Sequence, residues 1–456
     1  MTTAADRAGL ETQIREAARE RRDAVVELTS RLVGFDTTAR GPHDPPREEA
    51  ALQDLLADRL RAAGAEVELL NAGPGVPGSE RQVPADLPFD GRPQLVARFA
   101  SRGGGGRSLI FNGHIDAVSV QPRAEWSHDP FDAVVRDGLL YGRGSCDMKG
   151  GVAAMVVAAE LLAELGVELA GDLIVNTVTD EEYCGAGAAA SLTAGLRADA
   201  AIVPEPSSLQ TWVACRGILS PTITVHGRPG HAEVSQTHWR DGGAVNAIDK
   251  MMLVLAELHA LQAEWLARPA HRHELLRPPS IVTTMIKGGE WWVTYPASCE
   301  ATLDITYLPA QADSEGFGTA VEQEIEAAIA RACARDDWLA ENPPEVIWSV
   351  DLPPLEVSPD EAIVQSLARV ARSVGRVHEI ESLDSWFDAS AFHRIAGIPA
   401  VAFGPYGGRR GERPIPHTID EYVPVDDLVA TVETLALAAV DFCGLADGMD
   451  SPQIAG

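Results

Sequence analysis

Between Leu109 and Glu205 short apolar runs alternate with helical patterns, and few architectures accept that order. LIFNGHIDAV (109–118) reads as a strand buried on both faces, and GGVAAMVVAAELLAEL (150–165) carries apolar residues at helical spacing. GDLIVNTVTDEE (171–182) and ADAAIVPEP (198–206) are strands again. Strands that alternate with helices pack as a sheet covered on both faces, so the fold class is α/β.

After Gly217 the order becomes β-α-β-β-α-β, through ILSPTITVHG, AVNAIDKMMLVLAELHAL, the pair SIVTTMIKGG and PASCEATLDITYLP, a helix near 315–333, and EVIWSV. This is the ferredoxin-like pattern, a unit complete in itself. Beyond Asp351 the α/β pattern resumes, so the expected domains are 1–216 and 352–456 of one α/β body with 217–351 inserted. The 456 residues are ample for two cores. The Pro/Gly-rich stretch 71–93 reads as a loop, and the tetraglycine 103–106 as the connection of two antiparallel strands.

Lys plus Arg number 37 against 67 Asp plus Glu, a net charge of −30, which argues against nucleic-acid and anionic-membrane partners. The six cysteines show no CxxC spacing and are expected as reduced thiols. The segment 1–27 is charged throughout, and the longest apolar stretch is too short to cross a bilayer, so a cytoplasmic location is expected.

Chemistry-bearing residues gather where these strands end. His114 and Asp116 are two apart and share a face; Asp147 lies in the Gly-rich turn GRGSCDMKGG; Glu181 and Glu182 end one strand and Glu205 the next. Open α/β sheets build their sites beyond the carboxyl ends of such strands. Singly, each residue has an ordinary role as a helix cap or a solvated charge. Crowded together, the carboxylates repel one another unless cations neutralise them. A second imidazole is needed for two sites; His417 in IPHTIDEYVP is preferred over His393. Imidazole and carboxylate donors without thiolate suit Zn²⁺, Co²⁺ or Mn²⁺. HExxH and GxSxG are absent.

The segments NGHIDAV, WSHDPFDAVVRDGLLYGRGSCDMKGG, VTDEEYCGAGA, IVPEPS, GRPGHAEVSQTHWRDGGAVNAI and PHTIDEYVP resemble, in order and spacing, those of the M20 metallopeptidase family. Within it the likeness is to the acetylornithine deacetylase and succinyl-diaminopimelate desuccinylase branch. The resemblance implies a zinc-exopeptidase-like mixed sheet flanked by helices, with an inserted ferredoxin-like lid that usually dimerises, here as a homodimer. It implies two zinc ions bridged by Asp147, one completed by His114 and Glu205, the other by Glu182 and His417. Asp116 would orient His114, Glu181 would be the general base, and the peptide bond after Asp147 would be cis. The implied reaction is deacylation of an N-acyl amino acid or related N-acyl amine, through a hydroxide bridging the two metals. Dipeptidase or carboxypeptidase action on the same site is the alternative, and a non-catalytic metal-binding scaffold a weaker one. His231, in the lid motif, would donate to the developing oxyanion.

One departure bears on substrate. The family's carboxylate-binding members commonly carry Arg in the lid motif DIRxxP, where this chain reads DITYLP with Thr306. Threonine cannot pair bidentately with a carboxylate. Arg409, Arg410 and Arg413 lie close to His417 in sequence, and Arg413 is the candidate substitute anchor. Trp239, Trp291 and Trp292 are either an apolar wall or sheet packing. Asn246 is expected to shape the start of the lid helix.

Overall fold

All six residues of Leu109–His114 and of Leu173–Val178 are buried, as strands between two helical layers must be. The computed structural model describes residues 4–39, 45–103, 105–408 and 412–446. The chain divides into two compact units, Met1–Val213 with Val357–Ser382 and Phe387–Gly456, and Ala214–Glu356 with Leu383–Trp386.

The first unit carries a large mixed sheet in the order Glu66–Leu70, Gln94–Phe99, Leu173–Val178, Leu109–His114, Ala200–Val203, Ala400–Ala402, Thr211–Cys215. The four strands from Leu173–Val178 to Ala400–Ala402 are parallel to one another, which brings His114 level with Val178. The helix Lys149–Glu164 is largely apolar and buried from Lys149 to Leu162, with helix Val425–Cys443 packed against it. A small antiparallel sheet of Val134–Arg136, Leu139–Tyr141 and Tyr422–Pro424 pairs Tyr422 with Tyr141. That pairing carries the segment after His417 to the segment before Asp147.

The tetraglycine does not close a hairpin. Strands Gln94–Phe99 and Leu109–His114 do run antiparallel, but Leu173–Val178 lies between them. A β-carbon on Gly106 would lie 2.2 Å from the Cys443 carbonyl oxygen, so glycine there permits a close backbone crossing. Gly104 lies outside the described residues. The stretch 71–93 is free of helix and strand yet buries Val76, Val83, Leu87 and Phe89, and Gln82 Nε2 donates to the Cys184 carbonyl at 3.0 Å.

The second unit is an antiparallel sheet in the order Ser280–Gly288, Ser298–Tyr307, Gly217–His226, Glu345–Leu352, with helix Ala247–Ala267 following Gly217–His226 and helix Thr319–Ala334 following Ser298–Tyr307. That connectivity is the split βαβ arrangement. Buried and half-buried residues alternate along Gly217–His226, and the buried ones join Met251, Trp265, Leu303 and Ile325 in one core. Asn246 Oδ1 accepts the amide of Ile248 at 2.9 Å and caps the first of these helices. Among the described residues no helix is long and apolar enough to cross a membrane, and all six cysteines are unpaired.

Candidate active site

The site is built at the carboxyl ends of the parallel strands. His114 closes its strand; its Nδ1 lies 2.9 Å from the Asp116 carbonyl oxygen and its Nε2 3.2 Å from Asp147 Oδ1. Donation of Nδ1–H to that carbonyl fixes the ring and leaves Nε2 for a ligand. His114 Nε2 is also 3.9 Å from Glu205 Oε1 and 3.9 Å from Glu181 Oε2. On the other side His417 Nε2 lies 3.4 Å from Asp147 Oδ2 and 3.2 Å from Glu182 Oε2. Two groups of donor atoms therefore form, His114 with Asp147 and Glu205, and Asp147 with Glu182 and His417, the atoms of each within 4.8 Å of one another.

Asp147 is held by its own turn. Glu421 Oε1 accepts the amides of Cys146 at 2.9 Å and Asp147 at 3.1 Å, while its other oxygen pairs with the buried Arg143. The Asp147–Met148 peptide bond is cis. Gly150 and Gly151 open the following helix because nothing larger fits: a β-carbon on Gly151 would lie 2.0 Å from the Pro204 carbonyl oxygen. Absence of that one atom lets the Asp147 turn approach the strand end that carries Glu205. His417 sits at φ 65°, a left-handed backbone that a residue other than glycine rarely adopts.

The Asp116 carboxylate does not make the close contact to His114, its Oδ1 being 3.6 Å from Nδ1; the backbone carbonyl does. Its two oxygens instead accept the amides of Glu181 at 3.4 Å and Glu182 at 3.1 Å. Asp116 thus fixes the turn that presents both glutamates.

The electrostatics fit a cation site. Among the described residues Glu182 Oε1 and Glu205 Oε1 are buried without a hydrogen-bond partner, a costly state that a bound divalent ion would relieve. Burial pushes the Glu181 and Glu205 carboxyls well up, opposed by His114 and reinforced by the surrounding acids. Burial would lower the His417 imidazole, but Asp147 and Glu182 outweigh it and raise it to about 10. Burial likewise raises Asp147, yet its hydrogen bonds to both imidazoles hold it below the ordinary carboxylate range.

Other expected residues lie elsewhere. His393 is exposed on helix Ala389–Ala396 and joins neither donor group. His231 belongs to the second unit and is exposed, its Nδ1 accepting the Glu233 amide at 3.2 Å. Arg413 is exposed, while Arg409 and Arg410 lie outside the described residues. Thr306 is buried in its own sheet, its Oγ1 2.7 Å from Ser280 Oγ and accepting the Ser280 amide at 3.1 Å. Trp239 meets Trp338 edge-on at 5.3 Å, whereas Trp291 and Trp292 are exposed. Sequence reading missed Glu421, although it lies in the segment already quoted for His417; a buried partner for Arg143 and the turn amides leaves no local signature.

Imidazole and carboxylate donors at a strand edge, with a further carboxylate beside them, equip a metal-dependent hydrolase. The chain belongs to peptidase family M20/M25/M40, whose model matches residues 110–441. It is 26% identical over 443 residues to N-formyl-4-amino-5-aminomethyl-2-methylpyrimidine deformylase of Bacillus subtilis, covering 94% of this chain and 97% of that one. It is 30% identical over 420 residues to succinyl-diaminopimelate desuccinylase of Stenotrophomonas maltophilia, covering 89% and 96%. The fold matches the crystal structure of human carnosine dipeptidase 1 with a TM-score of 0.68, at 18% identity, over 95% of this chain and 100% of that one. The chain is a metal-dependent amide hydrolase.

Proposed function

We propose that the chain removes the acyl group from an N-acyl amine or N-acyl amino acid, using two divalent ions, with zinc the best match to the donors. His114, Asp147 and Glu205 would hold one ion and Asp147, Glu182 and His417 the other. The observation that carries this reading is the pair of donor groups sharing Asp147, with Glu181 beside them. Ions bound there would polarise the amide carbonyl and acidify a bound water. Glu181 would take the proton of the attacking water on its carboxylate and return it to the leaving nitrogen. Burial, which raises its proton affinity, suits that exchange. His231 is proposed to donate to the amide oxygen.

Deacylation is preferred to peptide cleavage because the two relatives above, covering 94% and 89% of this chain, are named for removing a formyl and a succinyl group. The inserted unit, 217–351, is proposed as a lid and as the seat of a homodimer. Its strand Ser280–Gly288 is an edge with Val282, Met285 and Ile286 exposed, a row that a second copy could pair. Six unpaired cysteines fit action in the reducing cytoplasm.

The test is an assay of zinc-loaded protein against N-formyl, N-acetyl and N-succinyl amines and against dipeptides. Chelator-sensitive amine release from an acylated amine should exceed dipeptide cleavage by about tenfold or more in kcat/KM; the reverse ranking makes the chain a peptidase. Glu181→Gln should keep its metal and lose about 10²–10⁴-fold in kcat, and near-normal turnover would remove Glu181 from the proton-carrying role.

A further inference from the structure

Asp388 is a buried carboxylate for which the described residues supply no hydrogen-bond donor. It is 1% exposed, and neither carboxylate oxygen has a hydrogen-bond partner among the described residues. It sits immediately before helix Ala389–Ala396, where an aspartate ordinarily caps the helix amides, yet its side chain makes no cap bond. Two residues on, the Ser390 hydroxyl is equally buried and equally without a partner. A carboxylate kept dry and unpaired destabilises a fold, so its place in the structure asks for a ligand that completes it.

Its surroundings say which ligand. Asp388 lies near enough to His114, Asp116, Glu181 and Glu205 for their charges to act on one another, but it belongs to neither metal-donor group. Asp116, Asp147, Glu181, Glu182, Glu205 and Asp388 together formally outweigh two divalent ions, leaving the site negative after metal binding. A formyl or acetyl group carries no hydrogen-bond donor that Asp388 could accept. The amine half of the substrate does.

We infer that Asp388 is a specificity-determining residue that reads the amine half of the substrate. The preferred substrates are N-acyl amines whose leaving amine carries a further cationic or N–H-rich nitrogen group, rather than N-acyl amino acids. This rests on the hydrolase reading above. Asp388 accepts from the distal nitrogen group, with the Ser390 hydroxyl as a second contact, and turns away a substrate carboxylate by like charge.

The experiment compares zinc-loaded wild type and Asp388→Asn on N-acetylputrescine and N-acetyl-γ-aminobutyrate, which differ chiefly in the sign of the distal charge. Wild type should favour the cationic substrate about tenfold or more in kcat/KM, and the variant should reduce that preference by about tenfold or more. Calorimetry with putrescine on the same proteins should show about tenfold weaker binding to the variant at unchanged zinc content. An unchanged preference and unchanged putrescine affinity overturn the inference, as does loss of zinc in the variant. Removing an unpartnered charge should leave the melting temperature equal or higher, so an unfolded variant also overturns it. If no amide is cleaved while putrescine still binds in an Asp388-dependent way, the hydrolase reading fails and the recognition stands.

Discussion

The two donor groups around Asp147 are made of nearly the same atoms but held in different ways. In the inner group the His114 side chain is 1% exposed and that of Glu205 6%, and both residues stand at the ends of parallel strands. In the outer group Glu182 lies within a turn, and His417, its side chain 51% exposed, hangs on a loop with φ 65°. A strand end is fixed by its neighbours in the sheet, so the inner geometry is set by the core itself. The outer geometry depends on a strained loop tied down by Glu421 and by the Tyr422–Tyr141 pairing. On the two-ion proposal the contrast predicts that an inner ion would bind more tightly and exchange more slowly than an outer one.

Asp147→Ala should abolish the contrast by removing the shared donor. Zinc content should fall to background and kcat by about 10⁴-fold or more, measured by metal analysis and steady-state rates. Single-site variants separate the two groups. His114→Ala should lose the inner ion and nearly all activity, while His417→Ala should retain one ion per chain and a measurable rate, about 10²-fold or more above the His114 variant. Equal metal loss in the two variants would show that the groups fill only together.

Glu421→Gln probes how the outer loop and the shared donor are kept in step. The glutamine carbonyl oxygen can still accept both turn amides, but the side chain no longer neutralises the buried Arg143. Zinc affinity should weaken about 10–100-fold, the size usual for a partner that orients a ligand. The defect should be greater for the second ion bound than for the first; a uniform loss would show that Glu421 acts on both groups alike through Asp147.

Much of this was readable along the chain because the donors lie where local pattern is strongest. The strands that end at or just before His114, Glu181–Glu182 and Glu205 are short, apolar and bounded, and the Gly-rich turn at Asp147 announces a close approach. The β-α-β-β-α-β order appeared with its strands nearly to the residue, since Gly217–His226 alternates as a one-face-buried strand should. What stayed hidden depends on pairing across the sequence. Glu421 acts through amides that precede it by 275 and 274 residues. The tetraglycine could not show that strand Leu173–Val178 would insert between the strands it joins. For Asp116 the spacing placed the residue, but only the turn geometry shows that its carbonyl meets His114 and its carboxylate serves the glutamates. Asp388 had no pattern at all, because the absence of a partner is a property of packing.

The smallest expected effect is a pH dependence of stability that separates the two imidazoles. In metal-free protein the His417 pKa is raised from 6.5 to about 10, so its contribution is complete below the unfolded value and lost as pH rises through the folded one. His114, Glu181, Glu182 and Glu205 are also raised and act with the same sign, each favouring the folded state in its protonated form. Asp147 is depressed and opposes them only at acid pH, as its carboxylate is neutralised. Metal-free protein should therefore lose melting temperature between about pH 6 and about pH 9, while zinc, which displaces the protons, should offset more of that loss as pH rises. The rise in melting temperature on adding zinc should thus be larger at about pH 9 than at about pH 6. His417→Ala should flatten the upper part of this dependence and leave the part owed to the buried inner group. A zinc-induced rise that is the same across that range would mean that protons and metal do not compete for these donors, and the inner–outer distinction would then rest on geometry alone.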